Sequence, residues 1–177
     1  MRNSSSNLVE FLNHEDEFTS RQRVSNFLQA LTEIFDTYLK FDRLSVPFLE
    51  TLDIFLGSPT LVHTDDSQLY DGILARVQKV VFKSKDIKKL LAAVKLYSSF
   101  ASITWDAKLQ EIISLSTKKL IAYLSHPFPM VRRISAEQLY MVLSARDVGE
   151  DEEPLSTEDA EELLLNTDWY DFLLMIT

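Results

Sequence analysis

Histidine, cysteine and glycine often mark active sites, and their distribution in this sequence predicts little chemistry. His14, His63 and His126 stand far apart and there is no cysteine, so no metal-ligand spacing of His and Cys occurs. The three glycines have no G-x-G or GK[ST] context, which argues against a phosphate-binding loop. A Ser/His/Asp triad assembled in space stays open from sequence alone. We expect a non-enzyme with no catalytic residues, no metal and no cofactor.

Lysine supplies the clearest charged cluster. Six lysines fall within 17 residues, and we expect three of them, Lys85, Lys88 and Lys89, on one side of a helix opposite Leu90 and Leu91. One interpretation is a solvated helix face. The other is a basic patch that meets an acidic protein partner, with an effect that weakens as salt rises. The candidate contact residues are Lys79, Lys83, Lys85, Lys88 and Lys89.

Acidic residues concentrate at the other end of the chain. The net charge is −9 and the pI is about 4.8, yet residues 147–177 hold 11 acidic and no basic residues. An acidic protein of this kind is not expected to bind nucleic acid. The segment predicts either a solvated linker or a stretch that folds over the chain's own lysines. Ser156 and Thr157 beside it are hypothetical phosphorylation sites.

The elements that must position these residues are predicted to be helices. Only 3 glycines and 5 prolines occur in 177 residues, and apolar residues repeat with helical spacing, which together predict about seven helices and no strand. No apolar run reaches the length of a membrane span, and the N-terminus has no signal or transit pattern. We therefore expect a cytoplasmic protein with no membrane contact.

The predicted organisation has four parts. Residues 1–20 are a flexible N-terminal lead-in, with one short helix at 8–12, and residues 21–146 are helical repeats. Residues 147–155 are an acidic linker, and residues 156–177 are C-terminal capping helices begun by Ser156 and Thr167. Short connections between helices favour antiparallel neighbours, which fits a bundle or a solenoid of helix pairs.

Local signals set several helix starts. Pro47 is predicted in the first turn of one helix, and Ser84 is predicted to cap another, with Asp86 in its first turn. The stretch Val77–Phe82 has strand-like composition, but its valines keep helical spacing, so a helix is preferred. Trp105 and Trp169 are expected to be core or capping aromatics, with Trp169 covering the last open face.

The stretch LSHPFPMVRRISAEQLY, residues 124–140, predicts a tight corner between two helices. Pro127 ends the first helix at His126, and Pro129 suits the first turn of the second. The leucine-rich helix, the corner, Val131, Arg132 and a small residue, Ala136, resemble a HEAT repeat. His126 stands where that pattern usually has Asp, so the resemblance supplies no carboxylate for Arg132.

A wider resemblance covers about residues 48–172. The stretches FLETLDIFL, KSKDIKKLLAAV, LSHPFPMVRRISAEQLYMVL and LLNTDWYDF resemble, in order and rough spacing, the C-terminal region of tubulin-folding cofactor D. This resemblance implies an all-α, HEAT-like helical-repeat solenoid segment without an active site. It implies a protein-binding scaffold that acts with β-tubulin, other tubulin-folding cofactors and an Arf-like small GTPase in assembling or dismantling the tubulin heterodimer. It also implies a cytoskeleton-associated location.

Two alternatives remain open at this stage. One is a HEAT-repeat scaffold of another pathway, such as a transport receptor or a phosphatase scaffold. The other is a compact helical bundle that encloses a small molecule or acts as an enzyme, which a buried polar cavity lined by ionisable groups would favour. The residues assigned to holding the repeat together are Pro127, Pro129, Val131, Arg132 and Trp169.

Overall fold

The computed structural model of the protein describes residues 4–13, 16–38, 42–58, 66–103, 109–145 and 155–170. Within these ranges the chain forms eight α-helices and no strand, one helix more than the sequence predicts. The helices are α1 (Ser4–Leu12), α2 (Glu17–Tyr38), α3 (Asp42–Leu56), α4 (Ser67–Val81), α5 (Ile87–Ala101), α6 (Gln110–Tyr123), α7 (Pro129–Ser144) and α8 (Leu155–Asn166).

The helices stack in two layers. Helices α3, α5 and α7 lie side by side in one layer, and α2, α4 and α6 lie side by side in the other. Helices α1 to α5 each therefore pack against the next but one along the chain, which is how pairs of helices stack in a solenoid. The all-α, helical-repeat prediction is confirmed, and the helices on either side of the 124–128 corner pack together as a pair.

Helix α5 lies at the centre of this arrangement and is buried on nearly all sides. Small side chains at Ala92, Ala93 and Ser98 let its neighbours approach closely. A hydrogen bond from Ser99 Oγ to Asp53 Oδ1, 2.6 Å long, fastens α5 to α3. Burial raises the pKa of the Asp53 carboxyl, and the hydrogen bond from Ser99 partly opposes that rise.

The outer layer also carries a cross-link. Arg76 of α4 donates two hydrogen bonds to the carboxylate of Asp36 in α2, at 2.8 and 2.6 Å. The hydrogen bond from Arg76 lowers the pKa of Asp36. Both side chains are partly exposed to solvent, so the pair fixes register more than it adds stability.

Residues 4–12 form α1, which packs against α2 and α3, so the predicted short helix at 8–12 is present and begins four residues earlier. Val9 and Leu12 are buried in the core, and that apolar contact holds a segment which the polar residues around it suggested was loose. Helix α2 begins at Glu17, earlier than the apolar period that starts at Val24. Asp16 caps it by accepting hydrogen bonds from the backbone N–H and the hydroxyl of Thr19.

The helix starts predicted at Pro47 and Ser84 are wrong, and the prediction of a helix over the Val77–Phe82 stretch holds. Pro47 lies inside α3, five residues after its start at Asp42, so one intrahelical hydrogen bond is missing there. Asp86, not Ser84, caps α5, because its carboxylate accepts from the backbone N–H groups of Lys88 and Lys89. Residues 77–81 are helical, as the spacing of their valines predicts.

Helix α8 returns along α7. Its last residues and the turn after it contact the first half of α7, so α8 and α7 run in opposite directions. Ser156 lies inside α8, after its first residue. The Thr167 hydroxyl donates to the carbonyl oxygen of Leu163 at the end of α8, and the helix that Thr167 is predicted to begin falls largely on residues 171–177, outside the described ranges.

Several predicted features fall outside the described residues. These are Trp105, most of the acidic linker at 146–154, and residues 171–177 of the predicted capping region. The boundaries at residues 21, 147 and 156 therefore remain predictions. None of the helices in the described ranges is long and apolar enough to span a lipid bilayer.

Candidate protein-binding surface

The lysine cluster lies where α4 turns into α5. Lys79, Lys83, Lys85 and Lys88 are all exposed. Lys89 is only 5% exposed and does not share their surface. Adjacent helical residues point about 100° apart, and the side of α5 next to Lys88 faces the packed interior. The prediction of Lys89 as a partner contact is therefore wrong, because α5 is enclosed more fully than its apolar period indicates.

The backbone of the α4–α5 turn presents two side chains to solvent. Phe82 ends α4 and is 72% exposed. Lys83 follows with φ at 54°, a left-handed conformation that usually goes to glycine after a helix. The Lys83 ammonium lies 5.2 Å from the centre of the Phe82 ring, within reach of a cation–π contact.

The α6–α7 turn holds His126 in a defined state. The His126 Nδ1 accepts a hydrogen bond from the Phe128 backbone N–H at 3.1 Å. Burial lowers the pKa of His126, and the positive charge of Arg132 lowers it further. The ring is therefore neutral at pH 7, with its proton on Nε2.

Arg132 joins this turn to the end of the described chain. Its guanidinium is 2% exposed and donates four hydrogen bonds to backbone carbonyl oxygens. Two go to His126 and Pro127 in the α6–α7 turn, at 3.0 and 3.2 Å. The other two go to Trp169 and Tyr170, at 2.8 and 2.6 Å. Carbonyl oxygens thus take the place of the carboxylate that His126 does not supply.

The remaining residues assigned to the repeat surround this cluster. Pro129 opens α7, and Val131 is buried in the core. Trp169 is buried and donates from Nε1 to the carbonyl oxygen of Leu164 at 2.9 Å. Arg133, one residue after Arg132, lies in a partly exposed position 3.4 Å from Glu137, and its guanidinium carbon is 5.7 Å from the centre of the Tyr170 ring. These contacts hold α7, α8 and the following turn together.

The two turns share one edge of the molecule, which we call the turn edge, formed by residues 82–86 and 124–128. A groove of about 340 Å³ lies between them, and we call it the turn groove. Its walls come from α4, α5, α6 and both turns. It is lined by Gln78, Val81, Phe82, Lys83, Ser84, Leu90, Tyr97, Lys119, Tyr123 and His126.

Sequence reasoning missed three residues of this surface. Phe82 ends an apolar run and stands exposed, and nothing in that run signals its place on the surface. Lys119 and Tyr123 come from α6, some forty residues after the lysine cluster, and only the stacking of α6 on α4 brings them to the groove. No spacing in the sequence signals that contact.

Two other grooves lie elsewhere. One of about 320 Å³ runs between α7 and the α8 end of the chain, and one of about 200 Å³ lies between α2 and α3 and is lined mainly by apolar side chains. Across the ranges that the structure describes, no group of three or more histidine or carboxylate side chains is arranged to hold a metal ion. The exposed lysines and the exposed Phe82 ring along the turn edge suit it to contact with a macromolecule.

The chain matches a known protein family. A family model described as the tubulin folding cofactor D C terminal matches residues 1–89. This range includes α1 and the lysines of the α4–α5 turn, and two of the four stretches that suggested the resemblance begin inside it. No solved structure matches the chain.

Proposed function

The chain belongs to the tubulin folding cofactor D C-terminal family, and from this membership we propose that it is a protein-binding scaffold for assembling and dismantling the α/β-tubulin heterodimer. A tubulin-folding role with protein partners follows from the family itself. The proposal adds which partners these are, how this segment contacts them, and that it does so without chemistry of its own.

Three partners are proposed: β-tubulin, the other tubulin-folding cofactors, and an Arf-like small GTPase. In this scheme any GTP hydrolysis belongs to tubulin or to the small GTPase, and the scaffold regulates it through contact. Partners of this kind imply a cytoplasmic, cytoskeleton-associated location. The family and the absence of a metal-ligand cluster among the described residues are compatible with a protein that is not an enzyme.

The contact is proposed to use the turn edge as a rigid surface. Stacked layers hold the two turns in fixed relation, and Arg132 fixes the second turn from inside through its carbonyl partners. A preorganised edge loses little conformational entropy on binding. Lysines at its rim raise the association rate with an acidic partner and orient it, more than they add affinity.

The observation that carries the proposal is the exposure of four lysines, Lys79, Lys83, Lys85 and Lys88, around one turn. None of the four forms an ion pair with a carboxylate among the described residues at bonding distance, although Lys79 contributes to the lowered pKa of Asp36 from further away. Four cations gathered this way in a chain of net charge −9 form a local positive field that an acidic protein can recognise.

The test is capture of purified tubulin by the immobilised chain at low and at high salt. A variant with Lys83→Glu and Lys88→Glu is compared with a matched control carrying Lys95→Glu and Lys118→Glu, which changes the net charge equally at exposed positions away from the turn edge. We expect the first variant to lose about tenfold in association rate at low salt, with a smaller loss at high salt. Equal capture by both variants would show that the turn edge is not the contact.

A further inference from the structure

We propose that the turn groove is a binding site for an acidic, extended peptide segment of a protein partner, with one apolar side chain of that segment seated against Phe82. This deepens the proposed function and rests on it only in taking the partner to be a protein.

The charge of the groove has one sign. Lys83 and Lys119 stand on its two walls, one from the α4–α5 turn and one from α6, and none of its lining residues is acidic. The neutral His126 ring offers its Nε2–H as a donor rather than a positive charge. Backbone carbonyls and carboxylates of an extended peptide are the groups that such donors recognise.

The groove also has an apolar part. Val81, Leu90 and Tyr97 are buried beneath it, and Phe82 stands at its mouth with 72% of its surface exposed. An exposed aromatic ring beside cations, over an apolar floor, matches the anchor positions that dominate protein interfaces. The segment that binds here should therefore carry an apolar side chain among its carboxylates.

The conformation of Lys83 adds an independent observation. A non-glycine residue at φ 54° carries a conformational cost that glycine would avoid. The Lys83 ammonium lies 5.2 Å from the centre of the Phe82 ring, at the mouth of the groove. Strain of this sort persists where the side chain has a use.

The chain's own acidic linker cannot supply the segment. Its ends are fixed at the end of α7 and the start of α8, on the side of the molecule away from the turn edge. Helix α7 is about 24 Å long at 1.5 Å per residue. The nine residues from 146 to 154 span at most about 30 Å when extended. This is less than twice the length of α7, the distance the segment would cover to reach the turn edge and return.

The experiment measures binding of the full chain to a fluorescent glutamate-rich peptide with one central leucine. Two comparison peptides carry serine in place of the leucine, or glutamine in place of every glutamate. We expect the leucine peptide to bind best, the serine peptide about tenfold more weakly, and the glutamine peptide not measurably. Equal binding of the leucine and glutamine peptides would overturn the proposal.

The decisive variant is Lys83→Gly, because its effects on folding and binding have opposite signs. Glycine relieves the left-handed residue, so the free energy of unfolding should stay equal or rise, while peptide affinity should fall several-fold. A loss of binding in a protein that is no less stable is not a folding defect. Phe82→Ala and Lys119→Glu should each weaken peptide binding. Lys118→Glu, one residue away on the same helix, should leave peptide binding unchanged.

Two further results would reassign the groove. If a chain ending at Tyr170 binds the peptide many-fold more tightly, the groove's occupant is the chain's own last seven residues, and the proposal is wrong. If sedimentation shows a dimer that Lys119→Glu disrupts without peptide present, the occupant is a second copy. Tubulin capture without peptide binding would leave the proposed function standing and overturn this inference. Peptide binding without tubulin capture would support this inference and overturn the proposed function.

Discussion

Replacing Arg132 by methionine tests the contact that joins the α6–α7 turn to the end of the described chain. Arg132 is 2% exposed and donates to four backbone carbonyl oxygens, two on each side of this junction. Methionine fills a similar volume but donates nothing, so buried carbonyls lose their partners. Methionine also removes the desolvation cost of burying the arginine charge, and this gain offsets part of that loss.

The magnitude follows from these opposing terms. Each carbonyl left without a donor costs about 1–3 kcal/mol when it stays buried, and breaking a buried charged contact typically costs about 3–5 kcal/mol in all. We expect a loss of about 3–5 kcal/mol, a large share of the roughly 5–15 kcal/mol that a domain possesses. If the free energy of unfolding falls by about 2–3 kcal/mol per molar urea, the urea concentration at the unfolding midpoint should fall by about 1–2 M.

The assay is urea unfolding followed by Trp169 fluorescence, in a Trp105→Phe background so that one indole reports. Since Trp169 is buried and its carbonyl accepts from Arg132, its emission should shift to the red at lower urea in Arg132→Met than in the unchanged background, together with the loss of far-UV helical signal. Arg133→Met is the control, because Arg133 is partly exposed and its contacts, 3.4 Å to Glu137 and 5.7 Å to the centre of the Tyr170 ring, lie at the surface, where each is worth under about 1 kcal/mol. A loss below about 1 kcal/mol for Arg132→Met would refute the reasoning.

Three other substitutions test separate parts of the fold by urea unfolding. Burial raises the pKa of the Asp53 carboxyl above its unfolded value of 3.8, so ionised Asp53 costs stability as pH rises from 3.8 through the higher folded pKa. Asp53→Asn, which still accepts from Ser99, should therefore be more stable than the wild type at pH 7 and lose that advantage near pH 3.5. A stability difference that stays constant with pH would contradict this. Leu12→Ala should cost about 2–3 kcal/mol if α1 is part of the core, while Asn7→Ala at an exposed site should change little; equal effects would detach α1. The buried Ser135 hydroxyl has no hydrogen-bond partner among the described residues, so Ser135→Ala should stabilise by about 1 kcal/mol, and a loss of stability would point to a partner for that hydroxyl.

The interior of the repeats could be predicted from sequence because its signals are local. Apolar spacing identifies α4 over the Val77–Phe82 stretch against its strand-like composition. Two prolines one residue apart identify the corner between α6 and α7. In both cases a handful of neighbouring residues carries the whole physical cause, either a helical period or a fixed φ.

The parts that could not be predicted depend on contacts between distant residues. Lys89 is buried because α5 has neighbours on nearly every side, whereas an amphipathic period indicates only one buried face. Two of the four acceptors of Arg132 lie 37 and 38 residues further along the chain. The turn groove likewise combines α4, α5 and α6, so neither Lys119 nor the exposure of Phe82 has a local signal.

The acceptors of Arg132 have a consequence for how this segment tolerates change. A carboxylate partner would tie the arginine to one residue type, but every partner here is a main-chain oxygen, which all twenty amino acids supply. Substitutions at Trp169 or Tyr170 leave those oxygens in place as long as the path of the chain is kept. Inserting or deleting a single residue between Asn166 and Tyr170 moves the oxygens out of register, so the contact with Arg132 constrains the length of this short stretch more than its composition, although the buried Trp169 is also held by its own hydrogen bond to Leu164.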